Sequence, residues 1–272
     1  MPRALWSGTL SFGLVNVPVR LHSAVRDHDL RFHLLHREDG ARIETRRFCE
    51  REDAEVGWDE IGHGYERRDG TQVVLTDEEL QAIAPKRTRT IEIGAFVDVA
   101  EIDPVLYDHP YLLVPAGEAE GVRRAYRLLV EVMRDRDQAA IGRIVLRTKE
   151  HLVAVRVRDG LLALTTMCFH DEVRPTTGID TGGRRRPTKQ ALDRAVRLVE
   201  ALGADWDPER YEDRYRARLQ RVVRRKRRGQ AIAPPPPEVA PPPPGDLMAA
   251  LEESLAEVRG PGKGRRATAA AD

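Results

Sequence analysis

Cysteine is nearly missing from this chain: Cys49 and Cys168 are the only two in 272 residues. They are too few and too far apart for a disulfide framework, which points to a reducing compartment. Aromatic residues are scarce as well, at 5%, and this weighs against a platform that stacks the bases of a single strand. No apolar run approaches the roughly 20 residues of a membrane span, and no signal peptide comes before the strand-like sequence at Trp6. A cytoplasmic protein with no membrane partner is expected. Catalytic signatures are missing too. There is no Gly-rich phosphate loop, no nucleophile elbow and no His-Glu-x-x-His pair, so no catalytic residue and no cofactor is assigned. Nothing reads as a recognition helix with base-reading side chains.

Charge is plentiful, at 33% of residues, yet the net charge is only +1. The balance hides an asymmetry. Between Arg184 and Arg228 sixteen Lys and Arg stand against seven Asp and Glu, a local net of +9 that leaves −8 for the rest. A basic block on a near-neutral chain is the footprint of a nucleic-acid or acidic-partner surface. The plainer alternative is a solvated helix face. Arginine without interleaved aromatics suits phosphate contacts, which position a duplex without reading its sequence.

The length allows a sizeable core in one or two domains. Near the start, Trp6, Leu10, Phe12 and Leu14 share one parity, and Val15, Val17, Val19 and Leu21 share the other. One long strand with this pattern changes its buried face and needs a bulge or bend. Gly13 is placed to supply it, and Pro18 puts the second half at an edge or bulge. Residues 30–75 read as short strands and polar loops. Thr76 and Glu79 form a capping box that opens a helix, with Leu80 and Ile83 inward and Pro85 ending it. Strand character returns over 90–100 and 111–114. A helix over 118–135 turns Val122, Tyr126, Leu129 and Met133 inward.

Residues 139–167 read as a three-strand meander, with one turn at Lys149-Glu150 and a two-residue hairpin at Asp159-Gly160. Together with the earlier strands it favours a barrel, and an α+β, mostly β class. Residues 175–188 read as a loop. A helix then turns Leu192, Ala195, Val196, Val199 and Leu202 inward and stops at Gly203, and Asp207-Pro208 opens a second helix through Tyr211, Tyr215, Leu219 and Val222. A proline-rich linker follows. Asp246 caps a short amphipathic segment carrying Leu247, Leu251, Leu255 and Val258, which is marginal alone and waits for a partner or packs back. The last residues, 260–272, are expected to be disordered.

Metal chemistry has two candidate sites. His28, His33 and His36 cluster beside Asp27 and Asp29, although packing or capping is the favoured reading. Glu101 and Asp103 are acids that a magnesium-dependent nuclease would use, although Asp103 before Pro104 reads first as a turn or cap residue.

The run from Trp6 to Ala24 (WSGTLSFGLVNVPVRLHSA), followed by Asp27 to His36 (DHDLRFHLLH), resembles the opening of the bacterial Ku family. Gly64-Tyr65-Glu66, Val74 to Leu80, Ile102 to Tyr107, Pro110 to Pro115 and Arg147 to Leu152 agree with that family in order, so the resemblance covers residues 1 to about 225. It implies a Ku-like β-barrel with an extended arm, two copies forming a ring-shaped homodimer around duplex DNA ends, and a C-terminal helical region. It also implies recruitment of ligase D, the multidomain ATP-dependent end-joining ligase, on the nucleoid. The divisions expected are a barrel and ring core over 1–188, a basic helical region over 189–229, a linker over 230–245, and an amphipathic segment with a basic tail over 246–272. Many Ku-like sequences carry a Cys-x-x-Cys pair near Cys49; here the second position is Glu52, so no zinc is expected.

Candidate phosphate contacts in the barrel region are Arg20, Arg31, Arg46, Arg47, Arg87, Arg89, Arg143, Arg147, Lys149, Arg156 and Arg174. Arg184, Arg185 and Arg186 extend the set into the following loop. On the resemblance, Arg210, Tyr211, Arg214, Tyr215 and Arg218 are the candidate ligase contacts. A generic chromosome-coating protein and a metal-dependent nuclease are the alternatives. The first would bind closed circles as well as linear duplex.

Overall fold

The computed structural model describes residues 3–85, 88–180, 186–231 and 247–259. The chain divides into two compact units, residues 1–177 and 178–272. The first is built on strands β1 (Trp6–Phe12), β2 (Val15–Ser23), β7 (Thr90–Asp98), β8 (Tyr107–Pro115), β9 (Gln138–Leu146), β10 (Lys149–Arg158) and β11 (Leu161–Met167). These close into a barrel in the order β1-β2-β8-β11-β10-β9-β7, antiparallel except where β1 runs parallel to β7.

The bent strand expected at the start is a hairpin instead. Phe12 pairs with Val15 across Gly13 and Leu14, and Gly13 takes a left-handed φ of 58°. A two-residue loop places an even position opposite an odd one, so Leu10 on β1 and Val17, Val19 and Leu21 on β2 all reach one core. Leu14, read as sharing the buried parity, is 99% exposed at the tip. Pro18 pairs with Thr9 of β1 alone, at the local edge expected of it. It lies just past the last β2–β8 pair, Val19 with Pro115, where its carbonyl accepts from Ala116. The missing N–H therefore costs no ladder bond. A second correction concerns the β9–β10 turn. It falls at Arg147-Thr148, with Leu146 paired to Lys149, and Arg147 adopts φ +60°. Asp159-Gly160 forms the hairpin as read.

Helix α2 (Glu120–Asp135) buries Tyr126, Leu129, Val130 and Met133 in the same cluster as the barrel's inner residues. The Tyr126 hydroxyl donates to the Leu113 carbonyl at 2.6 Å and accepts from the Leu162 N–H at 2.8 Å, so it bonds to both β8 and β11. Burial raises its pKa above the ordinary 10.0, and the Leu162 N–H works against that rise. The folded chain therefore holds the phenol proton where the unfolded chain releases it. Its stabilising contribution is intact below pH 10 and is lost as pH climbs through the raised value. Tyr126→Phe leaves two buried backbone groups unpaired and should cost about 2–4 kcal/mol in urea unfolding at neutral pH. Above pH 10 the variant's stability should decline less steeply than the parent's. Equal alkaline slopes would contradict this account.

Between β2 and β7 the chain leaves the barrel as an arm. It carries two small hairpins, β3 (Phe48–Cys49) with β4 (Ala54–Glu55) and β5 (His63–Glu66) with β6 (Gln72–Leu75), and ends in helix α1 (Asp77–Ile83). The capping box at α1 forms as read, Thr76 accepting from Glu79 N–H and Glu79 accepting from Thr76 N–H. Ile83, expected inward, is exposed. No residue between Val25 and Leu80 is fully buried.

The second unit contains α3 (Lys189–Leu202), α4 (Arg214–Arg227) and α5 (Leu247–Arg259). Thr188 caps α3 by accepting from Ala191 N–H. Leu192, Val196, Val199 and Leu202, read as an inward face, are each half or more exposed. Instead α3 meets α5 through the Arg194–Glu252 ion pair. The helix expected from Pro208 begins at Arg214. Pro208–Arg210 makes only a 3₁₀ turn, and Asp213 caps α4 by accepting from Arg216 N–H. The linker core (232–246), Asp246 and the tail (260–272) lie outside the described residues. Among the described residues no helix is long and apolar enough to cross a membrane.

Candidate nucleic-acid interface

The candidate cations fall into three groups by their surroundings. Among the described residues, the side chains of Arg20, Arg89, Arg147, Arg174 and Arg186 make no hydrogen bond or ion pair. Arg20 is thrown outward from β2 because Val19 and Leu21 on either side of it point into the core. Arg89 leads into β7, its carbonyl accepting from Thr9 on β1. Arg147 stands at the tip of the β9–β10 hairpin.

A second group is held by carboxylates. Arg31 meets Asp27 at 3.5 Å, and Arg46 meets Glu55 at 3.0 Å and Glu44 at 3.4 Å. Arg143 meets Glu150 at 2.9 Å, while Lys149 meets Glu172 more loosely at 3.9 Å. Glu55, and after it Glu44, raise the pKa of Arg46. The Asp27 carboxyl is held low, first by the Asp29 N–H and then by Arg31. Exposed pairs of this kind are weak and salt-screened, so a DNA phosphate can take the arginine from its acid.

The third group lies on aromatic rings. The Arg47 guanidinium sits 3.4 Å from the centre of the Trp58 ring. Arg156 sits 5.4 Å from that of Tyr107, on the outer face of β10, and its Nε is buried without a hydrogen-bond partner. Arg87, Arg184 and Arg185 lie outside the described residues.

The β9–β10 hairpin carries Arg143, Arg147 and Lys149, with Arg143 opposite Leu152, Lys149 opposite Leu146 and Arg147 in the turn. The other described cations of the first unit are spread over the barrel surface and the arm. That distribution fits contacts along a duplex backbone better than capture of one anion in a pocket.

Of the groups raised as metal ligands, Asp27, His36 and Asp103 are engaged by neighbours. His36 Nδ1 lies 2.9 Å from Asp39 Oδ1, and Asp103 caps the turn Pro104–Leu106 by accepting from Val105 N–H. Among the described residues no three His, Cys, Asp or Glu side chains are placed to share a cation. Cys49 pairs across its hairpin with Ala54, and the turn between them carries Glu52.

In the second unit Tyr211 and Tyr215 are exposed, as are Arg210, Arg214 and Arg218. Sequence reasoning missed Trp206, which stacks on Tyr211 with ring centres 5.2 Å apart. The signal was there in two aromatics flanking Asp207-Pro208, but reading a helix from that point placed them on different faces.

Comparison with known proteins adds a family to this geometry. The Ku family model, described as the Ku70/Ku80 beta-barrel domain, matches residues 11–194. The chain is 44% identical over 270 residues to the non-homologous end joining protein Ku of Anaeromyxobacter sp. strain K, covering 99% of this chain and 90% of that one. It is 38% identical over 261 residues to Ku 1 of Saccharopolyspora erythraea, covering 95% and 80%. Against Ku of Symbiobacterium thermophilum it is 41% identical over 254 residues, covering 93% of this chain and 62% of that longer relative.

Proposed function

The chain belongs to the Ku family, and on that ground we propose that it binds double-stranded DNA ends in non-homologous end joining, the process its relatives are named for. It acts as a ring-shaped homodimer, threaded from a free end, on the nucleoid in the cytoplasm. It has no catalytic chemistry of its own. Topology, in place of base readout, supplies the specificity for ends.

One observation carries this reading. The arm presents Phe32, Leu34, Phe48, Trp58 and Val74 to solvent, with no residue between Val25 and Leu80 fully buried. An apolar surface of this extent on a single chain marks a protein interface, and a second copy closing a ring is the partner that the family supplies. Arginines spread over the barrel and arm then contact phosphates around the enclosed duplex. The helical unit recruits and stimulates ligase D through the exposed stripe Leu192, Val196, Val199 and Leu202 of α3, with Arg210 and Arg214 of the same unit also exposed.

A gel shift with linear duplex, a closed circle, and linear duplex blocked at both ends by bulky caps tests threading. Only the first should shift, and its affinity should fall steeply with salt as counterions are released. Equal binding to all three would favour a coating protein. Deleting residues 190–272 should spare end binding and abolish stimulation of the ligase; unchanged stimulation would remove the helical unit from that role.

A further inference from the structure

Three of the chain's fourteen aromatic residues, Trp206, Tyr211 and Tyr215, fall within ten positions of one another. They are 77%, 66% and 73% exposed. A chain with so few aromatics does not place three of them in water to fill a core. Trp206 and Tyr211 stack with an interplanar angle of 29°, and at those exposures the pair keeps ring surface open to solvent. Immediately after them begins α4, whose fourteen residues include no acid. Arg218, Arg221 and Arg225 are spaced three and four apart, on one face, and with Val222 they line an open cleft of about 400 Å³. That face covers about 10 Å of helix axis.

From this juxtaposition we infer that the second unit holds unpaired nucleotides, namely the single-stranded overhang of a DNA end. The bases stack on Trp206 and Tyr211, and the following phosphates run along Arg218, Arg221 and Arg225. Ring stacking beside a cationic track is the chemistry by which single strands are bound without regard to sequence. The acids around the stack fix the polarity of the arrangement. Asp207 and Asp213 are engaged as caps, while Asp205, Glu209 and Glu212 repel phosphates from the rings and leave the helix as their path. An acidic protein partner would account for the arginines alone; a single strand accounts for them and for the open stacked rings with one chemistry.

The inference rests on the DNA-end reading and reassigns Tyr211, Tyr215 and Arg218, read from the sequence as ligase contacts, to the overhang. The apolar stripe of α3 remains for the ligase.

Fluorescence anisotropy on the full chain tests it, comparing a blunt duplex with the same duplex bearing a DNA overhang of about ten nucleotides, a common site size for such surfaces. An RNA overhang of equal length is the third arm. The parent chain should prefer the DNA overhang to the blunt end by about tenfold, the effect of one well-stacked base. Trp206→Ala and Tyr211→Leu should each remove most of that preference while blunt-end affinity stays within about twofold, and Trp206→Phe should keep it. Loss of blunt binding in the parent chain would defeat the end-binding reading itself. An unchanged overhang preference in Trp206→Ala, or equal loss on blunt and overhung duplex, would overturn the stacking site. So would a Trp206→Ala variant that keeps its overhang preference but no longer stimulates the ligase, because the stack would then be a protein contact. An RNA overhang bound more tightly than DNA would overturn the assignment to DNA ends.

Discussion

The double replacement Phe32→Asp, Leu34→Asp should convert the protein to a monomer and remove DNA-end binding while leaving the barrel as stable as before. Both side chains are about two-thirds or more exposed in the single chain, so charging them costs that chain little. In the proposed interlocked pair they would be buried against the other copy. Each buried, unpaired carboxylate then opposes association by several kcal/mol, and dimer affinity should fall by at least about 1000-fold. Sedimentation velocity reads the change in mass, thermal unfolding reports the barrel, and the gel shift with linear duplex reports function. A variant that remains dimeric and binds ends normally would show that the arm is a solvated loop. A variant that unfolds would show that these residues pack on their own barrel. Either outcome would remove the main support for a ring.

The contrast between the arm and the barrel explains how much the sequence could reveal. The meander over β9, β10 and β11 was legible because each strand alternates and Asp159-Gly160 has turn chemistry that forces φ above zero. The turn at Arg147-Thr148 was not, because an arginine in the left-handed region carries no such signature, and neighbouring Lys149-Glu150 looked equally polar. The parity switch at Gly13 was visible in the pattern but had two geometric solutions, a bend in one strand or a two-residue hairpin. Only pairing partners, Phe12 with Val15 and Leu10 with Val17, choose between them. The candidate site was legible in residue type and not in availability. Whether an arginine is free depends on acids brought near by folding, as Glu55 is brought to Arg46 and Glu172 to Lys149. The stack of Trp206 on Tyr211 needed the helix to stop after one 3₁₀ turn over Pro208–Arg210, which a proline at a first helical position does not announce.

Gly142→Ala should be among the most damaging single changes in the barrel, for a reason local to its closure. Gly142 is buried on β9, opposite Ile93 of β7 on one side and Val153 of β10 on the other. A Cβ there would overlap the Glu92 carbonyl oxygen and lie 2.9 Å from Ile93 Cδ1 and 3.1 Å from the Glu92 carbonyl carbon. The obstruction is mainly backbone, which cannot rotate away as a side chain can. Glu92 also pairs with Arg143 and, in the parallel ladder that closes the barrel, with Ser11. Moving it to admit a methyl group therefore loosens β7 from both of its neighbours at once. We expect a loss of about 3–4 kcal/mol, a large part of the 5–15 kcal/mol typical of a domain, and a fall in Tm of about 10 °C. Gly94 supplies the control. It lies on β7 within the bulge between Ile93 and Ala95, and a Cβ there meets nothing within 4 Å. Gly94→Ala should change stability by less than about 1 kcal/mol in either direction, since no contact is lost and the chain gains only stiffness. Equal losses in the two variants would mean that glycine conformational freedom, and not the approach of β7 to β9, is what the barrel requires. A much larger loss for Gly142→Ala would place the requirement at the close approach of Glu92 on β7 to Gly142 on β9.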